Sequence, residues 1–221
     1  MAGRTEPTAS CATAEPEPAP GPPSGPAYEP AAPGRAEAAA AVRIREMTLD
    51  DCEAVATVRV RGWQHAYRGV VPQTYLDAMS IEEDAARRRE YLAKGEGRVV
   101  DLVAERAGQV VGWGCCGPSR DEGVPDRTAE LYALYVLPER IGTGVGGALV
   151  DALTARAEAA GASSLLLWVL AANDRARRFY ARAGFAPDGT EAQFEVDGVS
   201  VSEVRYARRL SASVAAEPRR G

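Results

Sequence analysis

The chain has 221 residues, a formal net charge of −5, an isoelectric point near 5.2 and a hydrophobic fraction of 46%. These values fit one domain with extensions and argue against a general nucleic-acid binder, whose surface would be basic. No apolar run approaches the roughly 18 residues that suggest a membrane span, and the N-terminus lacks an apolar signal core, so a cytoplasmic protein off the membrane is expected. Cys11, Cys52, Cys115 and Cys116 show neither metal-ligand spacing nor a disulfide framework, and His65 is the only histidine. No metal is expected from that set.

Residues 1–40 hold nine of the fifteen prolines, and most of the rest is Ala, Gly and Glu. Such a segment buries too little apolar surface to order itself, so it is read as a disordered tail, and 211–221 as a second short one. Between them, 41–210 is read as a single domain. Val42–Glu46 alternates as a strand does. Thr48 with Asp51 resembles a capping box that opens a helix to about Ala66. Gly69 and Pro72 interrupt, a short helix covers Gln73–Met79, and Ser80 with Glu83 opens another that ends at Lys94-Gly95. Arg98–Glu105 and Gln109–Gly117 form a hairpin about Ala107-Gly108. A polar loop, Pro118–Arg127, leads to a strand over Thr128–Leu137.

Pro138 ends that strand, since it has no N–H to give to a ladder. Gly142, Gly144, Gly146 and Gly147 follow, and then a helix to about Ala160 with Val145, Leu149, Leu153 and Ala157 on one stripe. Strand, glycine loop and helix N-terminus together make a phosphate-binding device. Ser164–Leu170 is a nearly unbroken apolar run, as in a strand covered on both faces. Asn173 caps a helix over Asp174–Ala183. Two last strands, about 192–196 and 201–210, flank the hairpin turn Asp197-Gly198. The expected class is α+β: a mixed, mostly antiparallel sheet of about seven strands with about four helices.

Gly142-Thr-Gly-Val-Gly-Gly147 satisfies the dinucleotide pattern G-x-G-x-x-G, but the context is wrong. It follows an antiparallel hairpin, and the next strand carries no carboxylate for a ribose. A nucleoside-triphosphate loop would need Lys-Ser/Thr after the glycines.

Leu-Tyr-Val-Leu-Pro-Glu-x-x-Gly-x-Gly-x-Gly resembles the pyrophosphate motif of the GNAT superfamily of acyl-CoA-dependent N-acetyltransferases. Asn173-x-x-Ala176-x-x-Phe179-Tyr180-x-x-x-Gly184-Phe185 resembles its second motif. Both occur in the family's order, and the resemblance covers about 42–210. Ile141 departs from it, standing where the family usually has Gln or Arg. The resemblance implies splayed central parallel strands and acetyl transfer from acetyl-CoA to an amine. The pyrophosphate would lie on the amides of Gly142, Thr143, Gly144, Val145, Gly146 and Gly147. The pantetheine arm would pair with Tyr135, Val136 and Leu137, with Asn173 beside it, and the Tyr135 or Val136 N–H would polarise the thioester.

An alkyl amine is protonated at neutral pH, so a base is needed. Glu130 is the candidate; its other reading is a loop-edge carboxylate paired with Arg127. Tyr180 is the candidate acid for the leaving thiolate. Trp63, His65 and Tyr67 are candidates for the acceptor wall, with Trp113 facing either the slot or the core. A ping-pong route through Cys115 or Cys116 is the mechanistic variant, and a non-catalytic acyl-CoA-binding module is the functional one. The acceptor's identity and homodimerisation are left open.

Overall fold

The computed structural model describes residues 41–94 and 98–210. Both expected tails, 1–40 and 211–221, lie outside the described residues. The strands are β1 (Arg43–Glu46), β2 (Val100–Arg106), β3 (Gln109–Pro118), β4 (Thr128–Val136), β5 (Ser164–Leu170), β6 (Ala186–Val196) and β7 (Val199–Arg209). The helices are α1 (Cys52–Ala66), α2 (Gln73–Ala78), α3 (Ile81–Lys94), α4 (Val145–Ala159) and α5 (Asp174–Arg182), with single 3-10 turns at Leu49–Asp51 and Pro138–Arg140. The sheet order is β1-β2-β3-β4-β5-β7-β6, and β4 with β5 is the parallel pair.

Local chemistry accounts for several boundaries. The Thr48 amide donates to the Asp51 carboxylate at 2.8 Å, and the Glu83 amide donates to Ser80 Oγ at 3.2 Å, so both expected helix starts carry a side-chain bond. Ala107 and Gly108, and again Asp197 and Gly198, have φ between +48° and +77°. Two successive left-handed residues make the turn whose twist matches a hairpin. One boundary differs from expectation. β6 begins at Ala186 instead of about Ala192 and takes in Pro187-Asp-Gly189, residues common in turns. Its pairing with β7 slips between Pro187 and Glu191, and Asp188 is held there by Arg205 at 2.7 Å. The turn residues thus form an irregularity inside the strand.

Two apolar layers flank the sheet. Leu102, Val111, Leu131, Leu149, Leu153, Leu165 and Leu167 pack under α4 and α5. Val55, Val58, Trp63, Val103, Trp113, Tyr132, Ala133, Tyr135, Leu170 and Phe194 pack under α1 to α3. The latter is called the α1 face below.

The sheet is divided at its centre. β4 pairs with β5 only from Thr128↔Ser164 to Leu131↔Leu167. On the other side of β4, Cys116 faces Leu131 and Cys115 faces Ala133, so Tyr132 is an extra residue. A bulge bends and overtwists its strand. Beyond it β4 keeps company with β3 as far as Val136↔Gly112, while β5 follows β7 as far as Leu170↔Glu203. The expected splay of the parallel strands therefore starts at the bulge.

α4 sits close to β3 because that strand offers glycine under it. A Cβ at Gly114 would lie 2.8 Å from Leu153 Cδ1, 3.0 Å from Leu134 Cδ1 and 3.1 Å from the Ala133 carbonyl oxygen. Gly114→Ala is expected to lower stability by about 1–3 kcal/mol through overpacking, read as a lower urea midpoint at unchanged slope. An unchanged midpoint would show that α4 moves off the sheet at no cost.

Candidate active site

The glycine loop lies at the end of β4. Gly142 and Gly144 have φ of +82° and +88°, and a Cβ on either would meet nothing within 4 Å. Glycine is needed there for backbone freedom, since other residues are strained in that region. Gly144 is the N-cap of α4. The Ala148 amide bonds back to its carbonyl, so the amides of Val145, Gly146 and Gly147 precede the first intrahelical bond. No acidic side chain sits in this first turn. The end of α4 is thus open to an anion. Two buried arginines stand behind it. Arg106 Nη2 donates to the Thr143 carbonyl at 3.1 Å, and Thr143 Oγ1 donates to the Arg140 carbonyl at 2.7 Å. Nothing in the sequence links Arg106 to a loop 37 residues away. Ile141 leaves the backbone turn intact, and Arg140 and Arg106 bring positive charge near it.

The edge of β4 has a fixed parity. The Leu137 amide donates to the Val111 carbonyl at 3.0 Å. Antiparallel pairs alternate between bonded and non-bonded, so Tyr135 also turns its amide toward β3. Val136 and Leu134 turn theirs the other way, toward the gap. Of the two residues expected to supply the thioester's N–H, only Val136 faces the gap. Leu134 joins it, a position that one sequence cannot single out because the parity depends on the pairing register.

Tyr180 lies on α5, on the sheet face opposite α1. Its ring packs edge-on against Phe179 and Phe185 at 5.1 and 6.0 Å. Burial, and next the neighbouring Tyr67, push its hydroxyl well above the ordinary range. Tyr67 belongs to the other face, so the Tyr180 hydroxyl communicates with that face at the divergence. Tyr67 and Tyr135 place their hydroxyls 3.5 Å apart, and burial raises both. Asn173 caps α5: its Oδ1 accepts from the Ala176 amide at 3.0 Å. The capping role is thus filled by the carboxamide oxygen.

Glu130 stands on the α1 face of β4, since Ala129 and Leu131 belong to the other layer. It is wholly buried. Its partner is Arg120, whose amide donates at 2.9 Å and whose Nη2 donates at 2.6 Å. The alternative pairing with Arg127 is not made; Arg127 Nε donates to the Gly161 carbonyl at 2.7 Å. Arg120 also lies over the Tyr132 ring at 4.2 Å. Asp121, next in the same loop, accepts from Trp168 Nε1 at 3.0 Å and from Arg205 at 3.1 Å. The loop after β3 therefore ties β4, β5 and β7 together beside the paired half of β4.

The acceptor-wall candidates divide. Trp63 and Tyr67 are buried, 4.8 Å apart and edge-on. His65 is exposed and takes no part in this wall. Helical spacing puts Trp63 and Tyr67, at i and i+4, on one side and His65 elsewhere. Trp113 is core: its Nε1 donates to Asp101 at 3.0 Å and its ring stacks on Tyr135 at 6.3 Å. The Trp63 indole N–H is buried and has no hydrogen-bond acceptor among the described residues. A donor left so costs about 1–3 kcal/mol. Sequence reasoning passed over Glu203, a wholly buried carboxylate on β7. The available signal was an acidic residue two places from Val201, on the same face of an alternating strand.

Two cavities lie away from the divergence. One, of 170 Å³, is bounded by the feet of β3 and β4 and the end of α4; the other, of 440 Å³, lies beside Arg45, Asp51 and Leu137. The site is assigned by the unpaired strand edges and the glycine loop, which supply directed hydrogen-bonding groups. Among the described residues no helix is long and apolar enough to cross a membrane, and no three His, Cys, Asp or Glu side chains gather as a metal cluster.

Residues 50–185 match the model of the Acetyltransferase (GNAT) family. The chain is 31% identical over 164 residues to the uncharacterised N-acetyltransferase YuaI of Bacillus subtilis, covering 74% of this chain and 90% of that protein. It is 34% identical over 162 residues to the uncharacterised N-acetyltransferase Rv2669 of Mycobacterium tuberculosis, covering 71% and 99%. Among solved structures, YncA of Salmonella typhimurium, a putative acetyltransferase with its cofactor acetyl-CoA, superposes with a TM-score of 0.61 at 20% identity, covering 80% and 98%. That likeness concerns the fold. The chain belongs to the GNAT family and is an N-acetyltransferase.

Proposed function

We propose that this GNAT acetyltransferase moves the acetyl group to a primary amine by direct attack, at the point where β4 leaves β5. The observation that carries the reading is the strand edge: Leu134 and Val136 turn unpaired amides into a gap whose outer end meets the open N-terminus of α4. A pyrophosphate on Gly142–Gly147 sets the direction of the arm. Val136 is met first and pairs with a pantetheine amide as an added strand would. Leu134 lies two residues deeper, about 6.8 Å on from the strand's rise, and its N–H reaches the thioester carbonyl. An N–H aimed at the developing oxyanion is worth roughly 2.7–4 kcal/mol of barrier where such donors have been removed.

The amine nitrogen attacks the carbonyl carbon and the C–S bond breaks. The sulfur takes a proton from Tyr180, which its raised range keeps protonated at neutral pH. The amine's proton passes through water to Glu130. This last role requires that Arg120, whose amide and Nη2 both donate to the carboxylate, leave one of its oxygens open to that water. The variant through a cysteine is disfavoured at Cys116: burial pushes its thiol up to about 12, and its Sγ contacts the Leu153 carbonyl under α4. At pH 7 the thiolate is then on the order of one part in 10⁵.

Thiol release from acetyl-CoA over a panel of amines and peptides tests the reading. Turnover with at least one amine is expected; tight coenzyme A binding with no turnover on any acceptor would leave a binding module in its place. Glu130→Gln should lower kcat by about 10²-fold or more, and Tyr180→Phe should lower kcat with acetyl-CoA affinity nearly unchanged. In the unmodified enzyme, the raised Tyr180 predicts no loss of rate from pH 7 to about 9.5, because the acid stays protonated beyond the ordinary tyrosine value of about 10. Cys115→Ala and Cys116→Ala should retain turnover; a trapped acetyl-thioester on either cysteine would replace direct attack.

A further inference from the structure

The peptide unit between Thr143 and Gly144 is held from behind by a side chain that none of the steps above uses. Arg106 ends β2, is 7% exposed, and its Nη2 donates to the Thr143 carbonyl at 3.1 Å. The rest of Thr143 turns inward as well: its N–H and its Oγ1 both donate to the Arg140 carbonyl, at 3.3 and 2.7 Å. In a trans peptide the carbonyl of one residue and the N–H of the next point in opposite directions. With the Thr143 oxygen drawn back to the buried guanidinium, the Gly144 N–H is turned to the outer side of the loop. It makes no hydrogen bond among the described residues. It therefore joins the amides of Val145, Gly146 and Gly147, which α4 leaves without intrahelical partners.

Gly144 does not secure that orientation by itself. Rotating this peptide unit changes φ at Gly144, and glycine takes positive and negative φ about equally readily. Its φ of +88° is therefore one of several open to it. The rotated form would put the Thr143 carbonyl oxygen, with its partial negative charge, where a phosphate oxygen is to stand. The bond from Arg106 opposes that rotation. Its charge fits the same role. Arg106 Nε has no hydrogen-bond partner among the described residues, and Gln109, its pair across the hairpin, is neutral. The carboxylates adjoining Arg106 and Arg140 in the chain are engaged elsewhere, Glu105 with Arg45 at 2.9 Å and Glu139 with Arg61 at 3.1 Å. A buried cation behind the positive end of a helix is costly until an anion arrives.

We infer that Arg106 is a positioning residue for the acyl donor: it pins the Thr143–Gly144 peptide so that the Gly144 N–H faces the pyrophosphate. The inference rests on the reading of the glycine loop as the pyrophosphate site, and deepens it by naming what sets the loop's geometry. Arg106 acts through the backbone and from the far side of the loop, so it meets neither the thioester nor the amine. Its loss is expected in donor affinity and not in the chemical step.

Arg106→Met keeps an unbranched stem and removes the donor and the charge. Calorimetric titration should show Kd for coenzyme A raised about tenfold or more, inorganic pyrophosphate weakened alike as its competitor, and pantetheine changed by less than about twofold. In turnover the loss should sit in KM for acetyl-CoA, with kcat at saturation within about twofold. Under saturating coenzyme A the Gly144 amide should exchange about tenfold faster in the variant than in the unmodified enzyme, with Val145–Gly147 slowed in both. The ligand-free variant should melt no more than about 2 °C below the unmodified enzyme, because the cation removed was buried without a carboxylate beside it. A larger fall, or failure to fold, would make Arg106 a structural brace and overturn the assignment. Equal weakening of pantetheine, unchanged affinity for coenzyme A, or equal protection of Gly144 in both proteins would overturn it too. If inorganic pyrophosphate does not compete with coenzyme A on the unmodified enzyme, the reading of the glycine loop itself fails, and the role of Arg106 with it.

Discussion

One extra residue in β4 governs the centre of this protein. Tyr132 has no counterpart on β3, and at that point β4 and β5 stop pairing. A parallel pair inside a sheet normally satisfies its backbone groups throughout; here the inner edges of Tyr132–Val136 and Trp168–Leu170 are left without each other. In a packed sheet such groups need another partner. On the proposed reading, the glycine loop anchors an anion where the gap opens, and a long ligand with an anionic head and an amide-bearing arm would complete the ladder. The bulge would then set the depth of the thioester and the parity of the amides that meet it.

The halves of the sheet on either side of the bulge are built differently. Below it, the loop after β3 laces the strands with charged contacts: Arg120 to Glu130, Asp121 to Trp168 and Arg205. Above it, the layer is aromatic, with Trp63, Tyr67, Tyr135 and Phe194, and Glu203 and Arg59 bring buried charge to it. Three tyrosines from α1, β4 and α5 converge there, each held protonated by burial. Neutral phenols and a low-dielectric surround strengthen any charge placed among them. That arrangement suits a reaction in which an ammonium loses its proton and the neutral nitrogen then attacks a carbonyl carbon a few ångströms away.

Much of this was legible in the chain because it depends on local chemistry. The left-handed turns at Ala107-Gly108 and Asp197-Gly198, the α4 start at Gly144 and the Asn173 cap are each written within a few residues. The α+β class and the splay of the parallel strands also agree with the structure. What was not legible depends on register. The outward amides of Leu134 and Val136 follow from a bond between Leu137 and Val111. Arg120 was hidden for a related reason: the loop's route decides which arginine reaches Glu130. His65 misled because three neighbouring aromatic-type residues on a helix cannot share one face. The start of β6 was obscured by Pro-Asp-Gly, whose turn chemistry is spent within a strand.

The central claim is that the gap left by the bulge receives the acyl donor. Residue-resolved amide hydrogen exchange, with and without saturating coenzyme A, tests it most directly. The account predicts that Leu134 and Val136 slow together with Val145, Gly146 and Gly147, while Tyr135 and Leu137, already bonded to β3, change little. Saturation with no slowing at Leu134 and Val136, and protection confined to another region such as the cavity beside Arg45 and Asp51, would contradict it.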